Sequence, residues 1–571
     1  MSAGNIRKRS RLRKVYLFFR PLFDYAAKNK LVFAALVYSL VLHAVEKLAW
    51  CLAGFRFSFS PPLFQGMWVF MALFGLCLLA GGVPAKILLT VTLLLQSVEA
   101  FCSIFLNSVF SLEFGEEIFV IFLASSPREV REFFVFLGSW KVILCALAAL
   151  GAFAAVIYAV WKTPLKRKPP LYLICELLIL PQLINFFVQG RYDDICEKNS
   201  LLHLIVHAGK FSDGMRKLAE LEKHPELPKN IACEGGNENL LAVIVIGESA
   251  NRFHHSLYGY PRPTNPELGA KRELCVFTDG ISGFANTVRA CAYMLTAADA
   301  QNREDYRYTL FDVFKAAGFA THHYSNQNRW GRWDSPITIF SCHADDRYFL
   351  QEHSAGAFDD RLVEAFGQRL AGAAPRPRMV LFHLLGSHSV FEKRSPKAWK
   401  VFSAADRPRS PYGIDAWETV DEYDNSIRFT DHVLGRIVGI VDAHPGPAFM
   451  LYTSDHGEFP EAFSRDTRSG SSTAPEHYEI PFVFYANAAY RKKFPEVMAA
   501  IRKNLNKPFT TENFMYPCFS AARIDFDGFP REKDLFSPAF APPSERHLGD
   551  HTTPYPARTN PYAVSAPPTA K

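Results

Sequence analysis

LLAVIVIGES, residues 240–249, is a continuous apolar run, partly β-branched, that stops at once on Gly247, Glu248 and Ser249. Apolar at consecutive positions, it reads as a strand buried on both faces, the habit of a parallel sheet covered by helices. The construction recurs. MVLFHLL at 379–385 runs into Gly386, Ser387 and His388, and AFMLYT at 448–453 runs into Ser454, Asp455, His456 and Gly457. Segments near 309–319 and 421–440 read as helices between these strands. The expected architecture of this half is an α/β sandwich with a mainly parallel central sheet. Such sheets gather their chemistry at the carboxyl ends of the strands, which is where Glu248, His388, Asp455 and His456 fall.

The 571 residues are 49% hydrophobic and carry a formal charge of +7, averages that conceal two different halves. Residues 142–161 (VILCALAALGAFAAVIYAVW) are twenty consecutive uncharged residues, enough to cross a hydrocarbon core as a helix. Further apolar runs lie at 31–53, 62–81, 87–108 and 170–188. Arg7, Lys8, Arg9, Arg11, Arg13 and Lys14 precede the first run, and Lys162, Lys166, Arg167 and Lys168 separate the last two. Basic flanks of this kind mark cytoplasmic ends. Five spans starting inside deliver everything after residue 190 to the outside. The expected organisation is therefore a five-helix transmembrane domain over 1–190 with an amphipathic segment at its outer face, a connector over 191–238, an exported catalytic domain over 239–545, and an exposed, proline-rich tail over 546–571. Membrane flanks account for much of the basic excess, and no basic patch interleaves with stacking aromatics, so no nucleic-acid partner is expected. Export permits disulfides among Cys196, Cys233, Cys275, Cys291, Cys342 and Cys518, although spacing assigns no pairs.

GESANRFHHSLYGYPRPTNPEL at 247–268 resembles the first signature of the bacterial phosphoethanolamine transferases, in the alkaline phosphatase and sulfatase superfamily. The resemblance continues through NTVRACAYMLT at 286–296, YSNQNRWG at 324–331, HLLGSHSVFEKR at 383–394, YDNSI at 423–427, SDHGE at 454–458 and YEIPF at 478–482. It covers most of residues 240–545. The fold it implies is an N-terminal polytopic α-helical membrane domain followed by a C-terminal α/β sandwich of alkaline phosphatase and sulfatase type. It also implies a zinc site formed by Glu248, Thr287, Asp455 and His456, with Thr287 as nucleophile. The chemistry of those residues agrees: carboxylates and imidazole ligate zinc, and a zinc-bound hydroxyl is easier to deprotonate. A histidine at the position of His388 contacts the phosphoryl group or helps hold a second metal in this family, while His383 supports the strand or the donor site. One zinc ion is expected and a second is left open. Relatives carry another histidine soon after the DHGE word, near Thr467 here, and this chain has none before His477.

The reaction implied by the resemblance moves phosphoethanolamine from phosphatidylethanolamine to an envelope glycolipid, lipopolysaccharide or lipooligosaccharide, through a threonine-linked intermediate. The SLYGYPR and YEIPF words resemble the core-modifying branch more than the lipid A enzymes. The bilayer supplies the donor, whose contact region falls at Asn107, Ser111 and Glu116. The protein is then expected in the inner membrane with its catalytic domain in the periplasm. A phosphoglycerol transferase of the same superfamily would use the same threonine and metal, and a non-catalytic lipid-binding membrane scaffold is the rival from another class. Sulfatase activity is disfavoured, because NTVRA at 286–290 lacks the cysteine or serine followed by proline and arginine that formylglycine formation requires.

Overall fold

The computed structural model describes residues 75–110 save 78, residues 140–162, and residues 225–562 with breaks at 234–237, 300–305, 328–339, 355, 371–374, 414–416, 463–473, 550–552 and 557; a few isolated positions elsewhere in the first 172 residues complete it. The chain divides into an N-terminal unit within residues 1–212 and a C-terminal unit from residue 213 onward.

In the C-terminal unit the run at the start of the domain becomes strand β1 (Leu241–Gly247), buried at every position. Side chains alternate along a strand, so Ala242, Ile244 and Ile246 enter one core and Leu241, Val243 and Val245 the other. A continuous apolar run is what two-sided burial demands. The other sheet strands are β2 (Cys275–Val276), β3 (Ala320–Ser325), β4 (Asp346–Phe349), β5 (Arg378–His383), β6 (Ala448–Ser454) and β7 (Phe482–Ala486). Their spatial order is β2-β7-β6-β1-β5-β3-β4. The pairs β6-β1, β1-β5, β5-β3 and β3-β4 are parallel, while β7 runs antiparallel to β6 and to β2. Ile246 faces His383 across β1-β5, and Gly247 faces Ser454 across β1-β6. Three strand ends therefore meet at one carboxyl edge.

Helices cover both faces. Two helices, α5 (Asp360–Leu370) and α6 (Trp417–Ala443), contribute Leu362, Phe366, Val433, Leu434 and Ile437 to one core. On the other face lie α3 (Thr287–Leu295), α4 (Leu310–Ala316), α7 (Pro495–Asn504) and α8 (Met515–Ala521). Thr309 and Asp312 close a capping box that sets the start of α4. The α/β sandwich anticipated for this half is what forms. Its Cys275, Cys291, Cys342 and Cys518 are not joined in disulfides.

Part of the stretch expected to form an exposed tail packs, between residues 546 and 562, although Thr553, Pro554 and Pro556 within it are exposed. A short hairpin pairs His547–Leu548 with Thr553–Pro554, and Tyr555 and Tyr562 are buried beyond it.

The N-terminal unit requires a correction. Two of the apolar runs form helix, α1 (Gly82–Phe110) and α2 (Trp140–Lys162), joined by Lys86 Nζ donating to Trp161 O at 2.6 Å and Trp161 Nε1 donating to Thr90 Oγ1 at 3.0 Å. Among the described residues no helix is long and apolar enough to cross a membrane. That finding overturns the expected polytopic transmembrane domain, and with it the anchoring in the inner membrane that rested on it. The runs at 31–53 and 170–188 lie almost wholly outside the described residues, as do most of 62–81 and all of the amphipathic segment from residue 111.

Candidate metal centre

Glu248 leaves the end of β1, and Asp455 and His456 leave the end of β6 beside it. All three are buried, and one ligand atom from each lies within 4.8 Å of the others. The backbone aims them. Asp455 N donates to Gly247 O at 3.1 Å, Ser249 N donates to Asp455 Oδ1 at 3.1 Å, and His456 N donates to the same oxygen at 2.7 Å. His456 Nδ1 lies 2.7 Å from Gly457 O, an acceptor only, so this nitrogen carries the proton and Nε2 turns inward. Nε2 stands 3.2 Å from Glu248 Oε1 and 3.6 Å from Asp455 Oδ2.

The electrostatics of this trio call for a cation. Burial pushes the Glu248 carboxyl up, yet His456 together with His388 and His383 more than offsets it and holds the group at about 2. Burial, then the neighbouring Glu248 charge, drives Asp455 the other way, up to about 7. Burial lowers His456, but Asp455 and Glu248 raise it to about 10. Without another cation, the single charge of the His456 imidazolium faces two carboxyl groups and cannot offset both. Asp455 Oδ2 is buried and accepts no hydrogen bond, an expensive state for a carboxylate oxygen unless something electropositive faces it. Two carboxylates and one imidazole nitrogen are a donor set suited to a divalent transition metal. The residues fit a single metal ion.

Thr287 opens α3, whose start is fixed by Asn286: its side chain accepts from Arg289 N at 3.1 Å. The Thr287 hydroxyl lies 3.0 Å from each Glu248 carboxylate oxygen. It is half-buried, where the trio beneath it is buried. The sequence-derived residues Glu248, Thr287, Asp455 and His456 thus converge. His383 ends β5 next to Ile246; it is buried, neither ring nitrogen has a partner, and burial pushes it down to about 4. His388 is half-buried and its Nδ1 is unpartnered. Both lie near enough to lower the Glu248 carboxyl. Asn107 falls within α1, while Ser111, Glu116 and Thr467 lie outside the described residues.

Three further residues complete the site. Ser249 Oγ donates to Glu248 Oε1 at 2.8 Å, and Gln327 Nε2 donates to Glu248 Oε2 at 3.3 Å and to Leu384 O at 3.3 Å. Asp359 accepts from Leu385 N and Gly386 N, both at 2.9 Å, and so holds the turn after β5 against the metal edge. Ser249 and Gln327 sit inside words already singled out. Asp359 carries no local signal.

Comparison with known proteins places these residues in context. The Sulfatase family matches residues 241–522. The phosphoethanolamine transferase EptC of Escherichia coli (strain K12) is 25% identical over 464 residues, 76% of this chain and 79% of that protein. CptA of Salmonella typhimurium, also a phosphoethanolamine transferase, is 24% identical over 463 residues, with the same shares of 76% and 79%. The zinc complex of the C-terminal periplasmic domain of E. coli EptC superposes with a TM-score of 0.54 at 26% identity, covering 59% of this chain and 99% of that one. The integral membrane lipooligosaccharide phosphoethanolamine transferase A of Neisseria meningitidis shares the fold, with a TM-score of 0.64 at 16% identity over 90% of this chain and 98% of that one.

Proposed function

From the premise that this chain is homologous to the EptC- and EptA-like phosphoethanolamine transferases of the sulfatase and alkaline phosphatase superfamily, we propose that it transfers phosphoethanolamine from phosphatidylethanolamine to an envelope glycolipid through a covalent intermediate on Thr287. The observation that carries the reading is one contact. The half-buried Thr287 hydroxyl meets both oxygens of the carboxylate that also belongs to the buried metal cluster.

Glu248, Asp455 and His456 would hold zinc, the metal in the complex of the related E. coli domain. Zinc bound there would ease deprotonation of a neighbouring hydroxyl and offset charge on phosphoryl oxygens. Glu248 orients the Thr287 hydroxyl and accepts its hydrogen bond. Thr287 Oγ1 gives up its proton and forms a bond to phosphorus while the bond from phosphorus to the glycerol oxygen breaks, and that oxygen takes up a proton as diacylglycerol leaves. An acceptor hydroxyl then reverses the process and frees the threonine. Thr287 is the first residue of α3, so the developing negative charge lies at the positive end of that helix. His388 is the histidine available to the phosphoryl oxygens.

The test uses full-length protein, zinc, phosphatidylethanolamine labelled in the head group, and lipopolysaccharide. Label should appear in the lipopolysaccharide with release of diacylglycerol, and a chelator should stop both until zinc is restored. Label transfer from phosphatidylglycerol alone, or no diacylglycerol from the zinc-loaded protein, would overturn the proposal.

A further inference from the structure

Beside the metal edge lies a second buried cluster that the reaction does not use. His254 follows Glu248 by six residues, on a short 3-10 turn that Asn251 caps by accepting from Phe253 N. Its Nδ1 lies 2.7 Å from Asp424 Oδ1 on α6, and its Nε2 lies 3.0 Å from Glu461 Oε1 on the turn after His456. Side-chain exposures of 2%, 0% and 2% for His254, Asp424 and Glu461 exclude water from the arrangement. An ionised carboxylate can only accept, so both ring nitrogens must donate, and an imidazole with two N–H groups is a cation.

The neighbours support that charge state. Asp424 Oδ2 also accepts from Arg262 and from the Tyr260 hydroxyl, at 2.6 and 2.8 Å, and Arg262 continues to Asp421 at 2.5 Å. Glu461 accepts from the Tyr562 hydroxyl. The rings of Tyr260, Tyr423 and Tyr562 pack around His254, and burial together with the adjacent His254 charge keeps His255 neutral, at about 3.

Three segments meet here, and two carry metal ligands. Tyr423, next to Asp424, donates to Ser249 O at 2.7 Å and accepts from Asn251 N at 2.8 Å. Asn251 Nδ2 reaches the other loop, donating to Glu458 O at 3.0 Å. From this geometry we infer that His254, bridging Asp424 and Glu461, is a positioning residue that locks the Glu248 loop and the Asp455-His456 loop onto α6 and so fixes the spacing of the metal ligands. Without its charge, Asp424 and Glu461 face one another as like charges in a dry interior. The Glu461 turn then moves off α6 and draws on His456, five residues upstream. The inference rests on the metal site proposed above.

The experiment measures affinity for Zn²⁺, and the visible absorption of bound Co²⁺, in the full-length protein. His254→Gln should stay folded, weaken Zn²⁺ roughly ten- to a hundredfold, the range for residues that orient metal ligands, and alter the Co²⁺ bands. Adding Glu461→Gln to that variant removes the unbalanced charge and should recover most of the affinity. A generic packing role would not give that recovery. A folded His254→Gln with unchanged affinity and bands overturns the inference, as does a double variant no better than the single one. If His254→Gln fails to fold, Tyr562→Phe, which removes only the hydroxyl on Glu461, should weaken Zn²⁺ severalfold; no change would overturn the inference equally. A wild-type protein that binds neither ion would instead overturn the metal site itself.

Discussion

Gly386 shows how tightly single residues constrain the metal edge. Its φ is +48°, a left-handed value, and a Cβ there would meet Glu248 N at 2.8 Å and Glu248 O at 2.9 Å. Those are backbone atoms of a ligand residue and cannot swing aside. The close approach also lets Ser387 N donate to Glu248 O at 2.9 Å. Gly386→Ala should therefore lower stability by about 1–3 kcal/mol and weaken metal binding in the protein that still folds. Thermal unfolding with and without zinc measures both effects, and an unchanged midpoint with unchanged affinity would refute the argument. His456→Ala tests the ligand set at the same scale. It leaves the two carboxylates without their third partner, so zinc affinity should fall by an order of magnitude or more in a calorimetric titration.

At the scale of elements, β3 carries an acid-sensitive residue into the core. Both ring nitrogens of His323 are buried without partners, and the ring packs edge-on against Phe311 and Phe349. Burial, aided by the nearby His383 and Arg347, pushes it down to about 3 from an ordinary value of 6.5. The folded state thus refuses a proton that the unfolded state takes up near 6.5. Its contribution is fully present above that pH and is lost as pH falls toward 3, at roughly 1.4 kcal/mol per pH unit. Urea unfolding from pH 7.5 to 4.5 should show a smaller fall for His323→Leu than for the parent, with little difference at pH 7.5; parallel curves would contradict it. Three of the seven sheet strands, β1, β5 and β6, were legible in sequence because burial on both faces leaves an unbroken apolar run. The packed C-terminal stretch was not. Its prolines and polar residues suit a tail, while the hydroxyls of Tyr555 and Tyr562 donate to Glu479 and Glu461, far away in the chain. His254 was hidden for the same reason, since its partner Asp424 lies 170 residues away. Thr287 became visible only through its resemblance to a family, because a threonine at a helix start is otherwise unremarkable as a cap. The apolar N-terminal runs show the opposite risk. They announced helix truly at α1 and α2, but composition alone did not decide whether a helix spans a membrane.

For the whole molecule, the parallel sheet delivers ligands from strands that are distant in sequence to one edge, and α3 lays a hydroxyl over them. That convergence is the reason to treat Thr287 as the residue on which the phosphoryl group pauses. The most direct measurement is peptide mass spectrometry of full-length, zinc-loaded protein incubated with phosphatidylethanolamine and no acceptor. A phosphoethanolamine adduct on Thr287, absent from Thr287→Ala and discharged when lipopolysaccharide is added, is the predicted result. An adduct on another residue, or turnover that persists in Thr287→Ala, would contradict it.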